Sequence, residues 1–141
     1  MPTMTQTQIN EFLSQPLHAI VGTNPADGPP QMSPVWYVYE NETLYISVQW
    51  TTAKRRNLTR DPRISVCVDG GRNDARYVIL QGTAKLIAPD EPLQQEMRKR
   101  IIRHYSQSAE AAERYYDKVK HHPAALIVLK PDRIISADLN G

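Results

Sequence analysis

The sequence has few of the residues that would give the chain a reactive chemistry of its own. Its one cysteine, Cys67, rules out a disulfide framework and stands among valines, as a small core residue would. No serine lies in a G-x-S-x-G segment, which argues against a serine hydrolase. The adjacent pair His121-His122 has no third ligand at a metal-binding spacing. We therefore predict neither a catalytic side chain nor a metal site.

Long apolar runs and a one-sided charge are also missing. No segment approaches the roughly 18 apolar residues of a membrane span, and the N-terminal segment has no basic stretch followed by an apolar block. Seventeen Lys and Arg oppose fifteen Asp and Glu, so any basic feature is local. We expect a single domain, residues 1–141, in a cytoplasmic protein that binds neither membrane nor nucleic acid.

Short alternating segments make up most of the chain. Strands are predicted in HAIVGTN, QMSPVWYVYE, NETLYISVQW, RISVCVDG, RYVILQGTAKLIA, AALIVLKP and DRIISADLNG. A short helix precedes them in TQTQINEFLSQ, and one interrupted helix or two consecutive helices follow residue 90. Gly82 interrupts a long strand, which indicates a bulge, a bend or a close approach. The pattern predicts a mainly β fold with helices, an antiparallel barrel.

A basic segment follows the strand that ends near Trp50. If a helix starts at Thr52, then Lys54, Arg55 and Arg56 lie in its first turn, where the helix dipole is positive and a cation costs about 0.3–1 kcal/mol. A bound phosphate would satisfy the first backbone amides, the dipole and the lysine together. The alternative is a solvated helix face whose cations pair with nearby acids such as Asp61.

The segment PPQMSPVWYVYENETLYISVQWTTAKRRNLTRDPRISVCVDG, followed by RYVILQGTAKL, resembles a known family. It is similar to the split β-barrel flavin and deazaflavin oxidoreductases related to pyridoxamine 5′-phosphate oxidase, in particular the branch that uses coenzyme F420. The core AKRRNLTRDPRISV is the most specific part of the resemblance, which extends over nearly the whole chain. It implies a six- to seven-stranded antiparallel split β-barrel of the FMN-binding type. It also implies a homodimer with the cofactor at the subunit interface and a conjugated small molecule as substrate.

The resemblance further implies which residues bind the cofactor. Lys54 stands where the phosphate-binding lysine falls, and the resemblance places the ring of the cofactor along residues 32–36. The remaining implied contacts surround the phosphate, the ribityl chain and the ring. The implied cofactor-binding residues are Met32, Ser33, Pro34, Val35, Trp36, Ser47, Gln49, Thr52, Ala53, Lys54, Arg55, Arg56, Asn57, Gln81 and Gly82.

The identity of the cofactor is predicted from charge. F420 carries a phosphodiester and a glutamate tail, whereas FMN carries one phosphate group, and the cluster from Lys54 to Arg63 suits the more anionic tail. F420 is therefore predicted, with FMN as the alternative. Two other readings stay open: a non-enzymatic carrier of flavin, F420 or haem with the same fold, and a nucleic-acid binder that uses the basic helix.

Overall fold

The computed structural model describes residues 2–141, which form four helices and nine strands. Each helix begins after a residue with extended backbone, and a side-chain oxygen caps three of them, at Thr5, Thr52 and Ser108. In chain order the elements are α1 (Gln6–Leu13), β1 (His18–Thr23), β2 (Gln31–Val35), β3 (Tyr37–Glu40), β4 (Thr43–Gln49), α2 (Ala53–Arg60), β5 (Arg63–Asp69), β6 (Arg76–Thr83), β7 (Lys85–Ile87), α3 (Pro92–Tyr105), α4 (Ala109–Val119), β8 (Ala124–Leu129) and β9 (Arg133–Asp138).

The strands form two antiparallel sheets that share one core. The five-stranded sheet has the order β2-β1-β5-β6-β9, and the four-stranded sheet has the order β3-β4-β8-β7. Alternate side chains of both sheets point inward, where Leu44, Val66, Leu80 and Ile127 are fully buried. Phe12 of α1 belongs to the same core. The predicted fold class, mainly β with helices and antiparallel throughout, is confirmed.

The number of strands is nine, not six to seven, because two predicted strands each divide between the sheets. QMSPVWYVYE leaves one sheet at Trp36, so β2 and β3 lie in different sheets. RYVILQGTAKLIA divides in the same way at Ala84, between β6 and β7. Apolar residues continue through Trp36, so the sequence pattern shows a single strand there, whereas Gly82, two residues before Ala84, indicated a bulge or a bend in the second strand.

The outer faces of the two sheets differ. Helix α3 packs on the four-stranded sheet, where Met97 and Ile101 meet Val38 and Leu126 in a second apolar cluster. The outer face of the five-stranded sheet leaves several apolar side chains partly or largely exposed, namely Ile20, Met32, Cys67 and Ile79.

Within residues 2–141, none of the helices combines the length and the apolar character that crossing a membrane requires.

Gly82 lies against the turn that joins β8 to β9. A Cβ atom at this position would be 3.1 Å from Cδ1 of Leu129 and 3.2 Å from the backbone nitrogen of Asp132. The same turn is bound to the neighbouring residue, since the amide of Asp132 donates to the carbonyl of Gln81 at 2.8 Å. The predicted close approach at Gly82 is therefore an approach of the chain to itself.

We predict that Gly82→Ala destabilises the fold by about 1–3 kcal/mol, because the backbone of the β8–β9 turn must shift to admit the methyl group. Urea unfolding measures the change. Gly22→Ala is the matched control, since a Cβ there would lie 3.7 Å from the Ser65 carbonyl oxygen, an ordinary contact distance. Equal unfolding free energies for the two variants would contradict the packing argument.

Candidate functional site

A cavity of about 370 Å³ opens between the two sheets and the helices α3 and α4. The ends of β2 and β4, the start of α2 and the start of β8 supply the rest of its wall. No acidic side chain lines it. The lining residues are Pro34, Val35, Trp36, Ser47, Val48, Gln49, Thr52, Lys54, Arg98, Ile101, Ile102, Tyr115, Val119 and Ala124.

The start of α2 offers backbone donors that have no partner within the helix. Thr52 is the N-cap residue: its hydroxyl accepts from the Arg55 amide at 3.4 Å and donates to the Gln49 carbonyl at 2.8 Å. The next amides, those of Ala53 and Lys54, have no acceptor within the helix. Burial lowers the pKa of Lys54, and no carboxylate near it opposes that shift. The side chain lines the cavity as a partly desolvated cation.

A second cation of the cavity, Arg98 of α3, was missed by reasoning from the sequence. Its side chain is buried, and its Nη2 donates to the carbonyl of Val119 at 2.8 Å. Burial lowers its pKa, and no carboxylate acts on it to oppose that shift. A signal was present, because an arginine occupies the helix face that also carries Met97, Ile101 and Ile102.

Aromatic side chains form one wall of the cavity. Trp36 stacks on Tyr105 with ring centroids 5.1 Å apart and planes at 7°, and Tyr115 of α4 lies at 5.3 Å with a tilt of 44°. The Tyr105 hydroxyl donates to the Leu17 carbonyl at 2.7 Å and accepts from the Tyr37 amide at 3.4 Å. Burial raises the pKa of Tyr105 to about 12, so the hydroxyl remains a donor at neutral pH. Trp36 is thereby held in place while 39% of its surface stays exposed.

The predicted cofactor-binding residues divide between two surfaces. Seven of them line the cavity together: Pro34, Val35, Trp36, Ser47, Gln49, Thr52 and Lys54. Met32, Gln81 and Gly82 line a second cavity of about 720 Å³ on the five-stranded sheet. There the Gln81 amide donates to the Ser65 hydroxyl at 3.0 Å. Ser33 and Ala53 line neither cavity.

The other polar residues of α2 bind to the chain around them. The Arg55 guanidinium lies 4.1 Å from the centre of the Trp50 ring, and its Nε donates to the Trp50 carbonyl at 2.6 Å. Arg56 donates to the Thr51 carbonyl. Asn57 is buried, and its amide donates to side-chain oxygens of Thr23 and Gln31 at 3.1 and 3.2 Å. These three predicted contacts brace the helix, and none of them lines the cavity.

The histidine pair does not line this cavity. The rings of His121 and His122 are 4.7 Å apart, with their planes tilted by 42°. Among residues 2–141, no three His, Cys, Asp or Glu side chains group in a way that can hold a metal ion.

The sequence model of the pyridoxamine 5′-phosphate oxidase family matches residues 5–137 of the chain. The chain belongs to this family. The match extends over both sheets and all of the elements that form the cavity, and it confirms the resemblance seen in the sequence.

Solved structures of several other proteins share the fold. A conserved hypothetical protein from Mycobacterium tuberculosis, Rv2991, is 22% identical with a TM-score of 0.76, over 96% of this chain and 85% of that one. A protein named F420 reductase is 20% identical with a TM-score of 0.65, over 89% and 94%. HutZ, the haem storage protein of Vibrio cholerae, is 17% identical with a TM-score of 0.72, over 92% of each chain. At these identities the likeness concerns the fold.

Proposed function

We propose that this member of the family is an oxidoreductase that binds coenzyme F420 in the cavity beside Lys54. A conjugated small molecule is the proposed substrate. The observation that carries the proposal is a cavity with two buried or partly buried cations, Lys54 and Arg98, no acidic lining residue, and an aromatic wall at Trp36. The neighbour named F420 reductase supports the same class of cofactor.

The residues of the cavity fit the parts of F420. The start of α2 and Lys54 offer amides and a cation to a phosphodiester, and Ser47 and Gln49 offer polar groups at the adjoining end of β4. Ile101 and Ile102 give the opposite wall an apolar surface that excludes water. When bound, F420 supplies hydride chemistry, and the chain supplies binding and orientation with no side-chain nucleophile.

FMN is the second candidate, because Lys54 and the start of α2 suffice for a single phosphate group. A cavity with two cations favours the more anionic ligand, F420. Arg55 and Arg56 do not enter this comparison, since they bind the carbonyls of Trp50 and Thr51 and do not line the cavity. A carrier without enzymatic activity would bind a cofactor in the same place. Electron exchange between the loaded protein and a panel of enones and quinones separates an enzyme from a carrier.

Titration of the purified protein with F420 and with FMN tests the proposal directly. We expect the dissociation constant for F420 to be the smaller, because the cavity offers its anionic tail a second cation, Arg98, in addition to Lys54. Tighter binding of FMN at every salt concentration, with no oxidation of reduced F420 by any acceptor, would replace F420 with FMN in the proposal.

Lys54→Ala tests the phosphate contact. We expect the dissociation constant of the cofactor to rise about 10- to 100-fold, as for the loss of a charge-assisted hydrogen bond worth about 1.5–3 kcal/mol. Lys130→Ala is the control, because Lys130 is exposed at the end of β8 and lies outside the cavity. The unfolding temperature should be the same for both variants. An unchanged affinity in the Lys54 variant would refute this role.

We further propose that the protein is a homodimer in which the five-stranded sheet packs against a second copy. The outer face of this sheet carries Met32, which is 67% exposed, and the partly exposed side chains of Ile20 and Ile79. Met32 and Pro34 point to the same side of β2, and Pro34 lines the first cavity, so the apolar face continues to the cavity. In the dimer, Met32 and Gln81 of the second copy would complete the site.

Ile79→Glu tests the dimer, because a carboxylate on the outer face of β6 would be buried without a partner between two copies. We expect light scattering to give a dimer for the wild type and a monomer for the variant at micromolar concentration, with weaker binding of the cofactor. The control is Leu93→Glu on α3, at a position that is also exposed. A monomeric wild type would exclude the shared site.

A further inference from the structure

Arg98 is a buried cation with no anion near it. The residue is only 8% exposed. Within residues 2–141, its side chain makes a single hydrogen bond, which Nη2 donates to the carbonyl of Val119. A guanidinium has five donors. The side chain lines the cavity, where no acidic residue lies. A buried charge without a partner costs stability, so its presence requires an explanation.

Capping of α4 does not explain the charge. The Val119 carbonyl, at the end of that helix, also accepts from the His122 amide at 2.9 Å. The carbonyl is therefore satisfied without Arg98, and a neutral donor would serve equally well as a second partner. What a guanidinium adds is a fixed positive charge and several donors directed at one place.

The neighbourhood of Arg98 leads to the start of α2. Strands β4 and β8 pair with Gln49 opposite Ala124, and the Trp50 amide donates to the Pro123 carbonyl at 2.9 Å. The chain between Val119 and β8 thus runs beside the connection from β4 to α2. Lys54 enters the cavity from the first turn of α2, directly after that connection, whereas Arg98 enters from α3, so two cations from separate elements line one cavity.

We propose that Arg98 binds an oxyanion of the ligand other than the phosphate assigned to Lys54. This inference rests on the proposed function and adds a requirement to it: the molecules in the cavity together carry at least two anionic groups. The second oxyanion belongs either to the tail of the cofactor or to a carboxylate or phosphate on the substrate. In both cases a guanidinium can bind it through two parallel hydrogen bonds.

The test uses Arg98→Met and Arg98→Lys in the full-length protein, with Arg103→Met as the control on the same helix, at an exposed position. Each protein is titrated with F420, FMN and pyrophosphate, and its unfolding temperature is measured. If the tail supplies the oxyanion, Arg98→Met weakens F420 about 10- to 100-fold and FMN by much less. If the substrate supplies the oxyanion, Arg98→Met leaves the affinities for F420 and FMN unchanged. The KM of a carboxylate-bearing quinone then rises in this variant, while the KM of its neutral analogue does not.

The unfolding temperature separates this role from a structural one. Removal of an unpaired buried charge should leave the unfolding temperature of Arg98→Met unchanged or higher, and Arg98→Lys should keep part of the affinity. A lower unfolding temperature, with the affinities for F420, FMN and pyrophosphate and both KM values unchanged, would overturn the inference.

Pyrophosphate makes failure of the proposed function distinguishable from failure of this inference. If the wild type binds neither F420 nor FMN, the proposed function fails. Pyrophosphate binding that is lost in both Lys54→Ala and Arg98→Met would still support an oxyanion site at Arg98. In that case, no binding of pyrophosphate to the wild type, or equal binding to Arg98→Met, would overturn it.

Discussion

The change of sheet at Trp36 is the constraint on which the cavity depends. The chain leaves the five-stranded sheet after Val35 and joins the four-stranded sheet at Tyr37, so Trp36 belongs to neither ladder. Its ring is therefore free to lie on Tyr105 instead of in the core. Because the Tyr105 hydroxyl binds the chain before β1 and the start of β3, one side chain joins the end of α3 to both sheets. The aromatic wall follows from this arrangement.

The cations around the cavity are of two kinds: most of them bind groups of the chain itself, and few of them face the cavity. Most of the cations near α2 are already engaged: Arg55 and Arg56 bind carbonyls at the start of their own helix, and Arg63 pairs with Asp61 at 2.7 Å. That ion pair is exposed and contributes little to stability. Lys54 differs from them because it faces a desolvated space without a carboxylate. Local charge density in the sequence therefore overstates the number of cations that a ligand can meet.

Local patterns in the sequence predicted most of the strands and helices, while the predicted residues that line the cavity beside Lys54 came from the family resemblance. Alternation predicted the strands, and the threonine before Ala53 predicted the helix start that places Lys54 in the cavity. The division at Trp36 was not predictable, since apolar residues continue through that position, whereas at Ala84 the preceding Gly82 indicated a bend but not a change of sheet. Periodicity also predicted a helix around Arg98, but only the packing of that helix on the four-stranded sheet shows that this arginine lines the cavity.

The pairing of β4 with β8 has a consequence for how the protein acquires its site. Ser47 lies opposite Leu126, so the wall of the cavity joins segments from the first half of the chain to segments near its end. Such pairings form only after a large loop has closed, which makes folding slower than in proteins with local contacts. No fragment that lacks β8 contains the complete cavity. A ligand therefore recognises only the closed barrel, and its binding shifts the folding equilibrium toward that state.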